Sequence, residues 1–349
     1  MTLMSFLVAL LVAFVTAPVL RAVALRSGMV DAPAVRKLQQ MPVPLLGGVA
    51  VYLGVIAGSF VVPLYAKSHQ ALFLASSLIF LVSLLDDKKE ISARVRLTVQ
   101  FVAAGILIFN GLRISFLPNT IWGNAAEIAI TLLWLLGITN AFNYLDGVDG
   151  LCSGLAIIAA FFFFVILLAT GQVDLIFLPA AVMGACAGFF PHNFLRGKMF
   201  LGDAGSMFIG FTMAGFALEG TWAQEHVIRI IVPILILGVP IFDMTFTTVM
   251  RFRERKARTL IQWLEYAGRD HFHHYLMDLG LGSRGAIFFI FAISLSMGIN
   301  ALIISEVTNL LFGFLMIVQS GITFFLVGVL MVLGRRLHKE QEVHERLGI

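Results

Sequence analysis

The sequence predicts an all-α polytopic membrane protein, and three observations carry that expectation. Of its 349 residues, 59% are hydrophobic and only 13% are charged, with a mean hydropathy of +0.95. A soluble domain is typically about 45–50% apolar and about 25% charged. The apolar residues gather in runs close to the roughly 20 that a helix needs to cross a bilayer. The basic residues then fall almost entirely on one side once those runs are counted as crossings.

Eleven runs qualify, at about 3–20, 46–65, 70–85, 97–112, 126–145, 151–170, 174–190, 205–220, 227–250, 286–304 and 309–334. The first lacks the basic leader of a signal peptide and is followed directly by Arg21, so it is expected to remain as a span. Cys152 and Cys186 lie in or beside apolar runs and suit packing rather than a disulfide or metal pair. With no soluble segment or repeat in view, residues 1–349 form a single integral-membrane domain, with 251–285 as a cytoplasmic loop.

Arg335, Arg336, Lys339 and Arg346 place the C-terminal tail in the cytoplasm, and eleven crossings then put the N-terminus outside. Of the 24 Lys and Arg residues, only Lys67, Arg113 and Arg229 fall on the outer side. The same alternation brings Asp31, Asp86, Asp87, Asp146, Asp149, Asp203, Asp243 and Asp270 to the inner face, with His192, His271, His273 and His274. Ionisable groups at membrane depth are costly and usually functional. Their position at helix ends points to a site open to the cytosol.

Four segments carry chemistry. Asp86 and Asp87, followed by Lys88 and Lys89, end the third run. Adjacent carboxylates there bind a hard cation or share a proton, unless they simply solvate a helix terminus. Asn140-x-x-Asn143-x-x-Asp146-Gly147-x-Asp149-Gly150 puts two amides on one helix face before two Asp-Gly steps end the helix. Amides in an apolar span need partners, from a ligand or from another helix. Its Asp-x-x-Asp spacing is no EF-hand, since the other ligands are missing.

Pro191-His192-Asn193 and Phe200-Leu-Gly202-Asp203-Ala-Gly205-Ser206 form the third segment. The glycines allow close backbone approach, and the helix that follows should aim its free N–H groups at a bound anion. Asp203 supplies a carboxylate oxygen for Mg²⁺, or else caps the helix. The fourth is Arg269-Asp270-His271-Phe272-His273-His274, where His271 and His274 are spaced to face together on a helix. Histidines beside arginines suit a diphosphate; zinc spacing is absent, and a solvated basic loop is the bland alternative. Trp263 and Tyr266 suggest a short interfacial helix in the same loop. Gly280-x-Gly282-x-x-Gly285 imitates a dinucleotide fingerprint but precedes a span rather than following a strand.

In this order the segments resemble the polyprenyl-phosphate N-acetylhexosamine-1-phosphate transferases, the MraY–WecA–TagO superfamily, from about residue 26 to 285. Asp31 to Lys37, Pro42, Pro44 and Gly47-Gly48 look like that family's first cytoplasmic loop. The resemblance implies Asp203 as principal Mg²⁺ ligand, with Mn²⁺ able to substitute. It implies Asp86 and Asp87 as the pair engaging metal and lipid phosphate. Asn193, Phe200 and Gly202 would form the uridine pocket, with Asn140 and Asn143 among the substrate-binding groups. Asp146 and Asp149 would be catalytic carboxylates, and His271, His273 and His274 would lie near the diphosphate. Lys88, Arg94, Arg96 and Arg269 would offset the charge of two anionic substrates.

His-Phe-His-His-Tyr-Leu is similar to the WecA/TagO branch, which favours an unadorned UDP-N-acetylhexosamine over a muramyl-pentapeptide donor. Gln39 and Leu45 depart from that branch's first loop. The expected reaction moves GlcNAc-1-phosphate from a UDP-sugar to undecaprenyl phosphate, releases UMP and starts a cell-envelope glycan at the inner membrane. A modified donor such as UDP-FucNAc or UDP-QuiNAc stays open, as does a homodimer. No nucleic acid is expected as a partner. A secondary transporter would place its charges near the midplane instead, and a scaffold would tolerate alanine at the aspartates.

Overall fold

The structure, a computed structural model, describes residues 1–31, 41–61, 67–89, 91–194, 198–223, 226–254, 262, 271–307 and 310–347. Helices dominate, and each of the eleven apolar runs coincides with a helix or a bent helix pair. Six are long and apolar enough on their own to cross a membrane, or seven with the bent pair taken as one span. The one departure from an all-α chain among the described residues is a short antiparallel ribbon, β1 (Val30–Asp31) with β2 (Val43–Pro44). Trp263, Tyr266, Arg269 and Asp270 lie outside the described residues.

The chain forms two compact units, Met1–Trp222 and Ala223–Ile349. The first holds α1 (Thr2–Ser27), α2 (Gly47–Ser59), α3 (Lys67–Asp86), α4 (Ala93–Phe109), α5 (Ile121–Leu145), α6 (Leu151–Ala169), α7 (Phe177–Phe194) and α8 (Gly202–Phe216). Lipid tails are as apolar as leucine, so helices in a bilayer associate through close packing and polar contacts rather than hydrophobic transfer. The α1–α2–α7 seam follows that rule. Ala9, Ala13 and Ala17 are fully or nearly buried, opposite Gly54 and Gly58 of α2 and Gly184 and Gly188 of α7. A Cβ on Gly184 would stand 2.2 Å from the Phe6 carbonyl oxygen. Ser5 adds a hydrogen bond to the Gly58 carbonyl at 2.8 Å.

Helix α8 is the axis of this unit, buried along nearly its whole length against α3, α5, α2 and α6. Trp134 of α5 donates its indole N–H to the Ala214 carbonyl at 2.9 Å. Gly210 lets α5 approach, since a Cβ there would meet Phe142 Cβ at 2.9 Å. Helices α3 and α8 run antiparallel. Asp86 and Asp87 meet the start of α8, while His69 meets Glu219 at 3.1 Å just past its far end.

The second unit contains α9 (His226–Ile236), α10 (Gly238–Arg253), α11 (Phe272–Asp278), α12 (Ser283–Glu306) and α13 (Leu310–Leu347). Between α9 and α10 the axis bends by 78° at Leu237. Phe324 of α13 and Met297 of α12 pack on Gly238, and Asn300 of α12 donates to Gln319 and to Ser320 of α13. Much of α13 presents large apolar side chains outward, as a lipid-facing surface should.

Overpacking a tight seam typically costs about 1–3 kcal/mol. Gly184→Ala should therefore lower the unfolding midpoint in detergent by roughly 2–6 °C. Gly105→Ala, where a side chain would meet nothing within 4 Å, should leave it unchanged or slightly higher. Equal midpoints for the two variants would refute the seam.

Candidate active site

The site is built on the start of α8. Phe200 donates its N–H to the Pro44 carbonyl at 2.8 Å, Gly47 donates to Phe200 O at 3.0 Å, and Gly48 donates to Leu201 O at 2.7 Å. These bonds tie the ribbon and the entry to α2 onto the segment leading into α8. Gly202 then adopts φ 75°, where an L side chain is strained. A Cβ there would also lie 2.8 Å from Asp87 Oδ2 and 2.9 Å from the Leu45 carbonyl.

A helix start leaves its first N–H groups without intrahelical partners. In α8 the chain's own carboxylates take them. The Asp203 N–H donates to Asp87 Oδ1 at 2.9 Å and the Ala204 N–H donates to Asp87 Oδ2 at 3.1 Å, with the Asp146 carboxylate close beside them. The expectation that these N–H groups address a bound anion is therefore corrected. A buried helix end needs permanent acceptors, and the positive end of the dipole favours carboxylates.

Two helices flank this end. Arg96 of α4 sets one Nη1 against Asp86 Oδ2 at 3.1 Å and Asp203 Oδ2 at 3.5 Å. Asp86 Oδ1 accepts the Ile91 N–H at 2.6 Å, which closes the turn after α3. From α5, Asn143 donates to Asp203 Oδ1 at 2.8 Å and to Ser206 Oγ at 3.1 Å. Asn140 turns to α4 instead and donates to Gln100 Oε1 at 2.9 Å. The two asparagines thus serve different neighbours.

Crowded carboxylates resist ionisation. Burial first, then the Asp203 carboxylate, pushes Asp87 up to about 8 against the opposing pull of its two N–H bonds. Asp146 is raised well above the carboxylate range by burial and by Asp203 and Asp87. Asp149 is raised by burial. The end of α8 therefore collects more negative charge than its protein partners neutralise.

Other expected residues are placed as follows. Asn193 is buried with both ends committed: its Oδ1 accepts the Gly150 N–H and its Nδ2 donates to the Met199 carbonyl at 2.9 Å. It holds two turns together. Phe200 and Asp149 are half-buried, and Lys88 and Arg94 are exposed. His192 contacts the Phe14 carbonyl of α1 at 3.2 Å.

The histidine motif belongs to the second unit. His271 Nδ1 lies 3.0 Å from Asp243 Oδ2, its Nε2 lies 3.3 Å from Arg251 Nη2, and Asp243 Oδ1 accepts the Phe272 N–H at 2.6 Å. The expected shared face of His271 and His274 is corrected. His271 is the N-cap of α11, with extended backbone at φ −92° and ψ 159°, so helical spacing begins only after it. His273 and His274 occupy the first turn, with ring centroids 4.2 Å apart.

Gln100, Asp243 and Arg251 were not picked out as site residues. The signals were present: a glutamine one turn beyond Arg96, and a carboxylate inside the run 227–250 with a guanidinium eight residues further on.

Fold and site together define a helical membrane protein with a carboxylate-rich polar end. Residues 69–221 match the model of glycosyl transferase family 4. The chain is 33% identical over 310 residues to a probable undecaprenyl-phosphate N-acetylglucosaminyl 1-phosphate transferase of Bacillus subtilis, covering 87% of this chain and 85% of that protein. It is 32% identical over 321 residues to the undecaprenyl-phosphate alpha-N-acetylglucosaminyl 1-phosphate transferase of Escherichia coli, covering 88% and 85%. With a decaprenyl-phosphate N-acetylglucosaminephosphotransferase of Mycobacterium tuberculosis it shares 31% identity, covering 83% and 79%. The chain belongs to glycosyl transferase family 4.

The raised Asp87 gives a signed pH effect. An unfolded aspartate titrates near 3.8 and Asp87 near about 8, so folding takes up a proton between these values and stability falls as pH rises through that window. Chelator-treated protein should unfold at progressively lower temperature from pH 6 to pH 9, less steeply in Asp87→Asn. A midpoint that climbs over this interval would contradict the assignment.

Proposed function

We propose that this chain transfers N-acetylglucosamine 1-phosphate from UDP-GlcNAc to undecaprenyl phosphate, releasing UMP. The observation that carries the reading is the packing of Asp87, Asp146 and Asp203 around one buried helix start, in a chain whose relatives are named for this reaction. An oxygen of the lipid phosphate attacks the β-phosphorus of the donor. A new phosphoanhydride forms, the bond between the β-phosphorus and the bridging oxygen breaks, and UMP leaves with that oxygen. One anhydride replaces another, so the difficulty lies in bringing anions together rather than in driving force.

The residues at the start of α8 suit a hard cation. Arg96 already sits as a positive charge between Asp86 and Asp203, so the geometry favours a cation between those two carboxylates. Among the described residues no three His, Cys, Asp or Glu side chains close on one point. Mg²⁺ keeps several waters and needs only one or two carboxylates plus substrate phosphate oxygens. Asp203 and Asp86 would hold it, with Asp87 adjoining. When bound, Mg²⁺ neutralises charge on the diphosphate. Asp87, which adjoins Asp203 at the start of α8, would take the proton of the acceptor phosphate. Arg96 and Asn143 orient Asp203, and the apolar helix surfaces accommodate the polyprenyl tail.

Eleven crossings with the α8 start facing the cytoplasm of the inner membrane fit the basic residues, which favour that side. The product, a single lipid-linked sugar, suits the first step of a cell-envelope glycan.

Detergent-solubilised protein given UDP-GlcNAc, undecaprenyl phosphate and Mg²⁺ should form radiolabelled lipid and UMP in equal amounts. A panel of UDP-sugars should show UDP-GlcNAc as the preferred donor. Asp203→Asn should lose about 100-fold or more in turnover and bind Mn²⁺ more weakly by electron paramagnetic resonance. Activity confined to sealed vesicles would support transport instead. An Asp203→Asn variant with undiminished Mn²⁺ binding would remove that residue from the metal site.

A further inference from the structure

The histidine motif divides its labour unequally. Asp243 and Arg251 are fully buried, and His271 is 7% exposed between them. A guanidinium only donates hydrogen bonds and stays protonated. With Arg251 Nη2 at 3.3 Å, His271 Nε2 must therefore present its lone pair. The ring proton then sits on Nδ1, which donates to Asp243 Oδ2 at 3.0 Å. Both ring nitrogens of His271 are thus used inside the protein. The second oxygen of Asp243 holds the Phe272 N–H, so one carboxylate grips both the side chain of His271 and the backbone that follows it. Arg251 and Asp243 are eight residues apart on α10, so a single helix face supplies both ends of the clamp.

We propose that Asp243, His271 and Arg251 form a positioning clamp. It fixes the start of α11 on α10 and so sets where His273 and His274 stand, while His271 itself does not touch substrate. This rests on the activity proposed above and leaves the role near the diphosphate that the family resemblance implies to His273 and His274. His271 lies outside the helical turn and has no ring nitrogen to spare; His273 and His274 follow immediately in the first turn of α11.

The test exploits the two ring nitrogens. In His271→Asn the amide nitrogen falls near the place of Nδ1 and keeps the donation to Asp243. In His271→Gln it falls near the place of Nε2 and loses it. The readouts are kcat and KM for UDP-GlcNAc in detergent, and the rate of limited trypsin cleavage at Arg253 and Arg284, the exposed arginines at the end of α10 and just beyond α11. The clamp predicts His271→Asn within about 5-fold of wild-type kcat and cleaved at the wild-type rate. It predicts kcat down by about 100-fold in His271→Gln and His271→Ala, with KM little changed and cleavage faster. Asp243→Ala combined with His271→Ala should be no worse than either single change.

Retained activity and protection in Gln with loss of both in Asn would show that the Nε2 side of the ring, not the grip on Asp243, does the holding and would overturn the proposal, as would additive losses in the double variant. If wild-type protein turns over no UDP-sugar, the activity assignment fails. The trypsin ranking then still decides the clamp: Asn protected and Gln and Ala exposed supports it, and identical cleavage in all three overturns it.

Discussion

A buried helix start must find acceptors for its first amide hydrogens, and in this protein that demand organises the polar end of the first unit. The amides of Asp203 and Ala204 are met by Asp87, which arrives from the end of another helix, and the Asp146 carboxylate lies close beside them. Satisfying the backbone in this way draws like charges together, because Asp203 itself rides on the same turn. Arg96 and Asn143 offset part of that repulsion from either side. The rest remains as raised proton affinity, a standing preference for positive charge. A fold requirement and a chemical one are thus met by the same atoms, and neither can be changed alone.

The glycines at this end follow from the same constraint. Gly202 has left-handed backbone and no room for a Cβ beside Asp87. Gly48 and Gly205 bring α2 and α8 together backbone to backbone, since a Cβ on Gly48 would lie 2.3 Å from Gly205 N. Close approach lets short aspartate side chains reach the amides directly.

Much of this was legible from residues alone. Apolar runs located the helices, since spans must satisfy their backbone internally. The density of Asp and Asn at their ends marked Asp86, Asp87, Asn143, Asp146 and Asp203 as one group. What sequence spacing could not supply was partnership. Asn140 and Asn143 are three apart, yet one serves Gln100 and the other Asp203, because different helices pack on either side of α5. Nor could periodicity place His271, because it assumes a helix that starts one residue later. Nor could spacing show that Asn193 fastens two turns, its Oδ1 accepting the Gly150 N–H and its Nδ2 donating to the Met199 carbonyl.

The bend at Leu237 bears on how the protein is made. Pro240 carries no amide hydrogen, so the turn before it has a carbonyl that the helix does not satisfy. Lipid offers no substitute. In the finished protein Leu237, Gly238, Val239 and Pro240 are all shielded, and the residues against Gly238 come from α12 and α13, which are synthesised later. A nascent chain paused after α10 would hold this 78° bend without the side chains that cover it. The bend is therefore covered by side chains that the sequence supplies last.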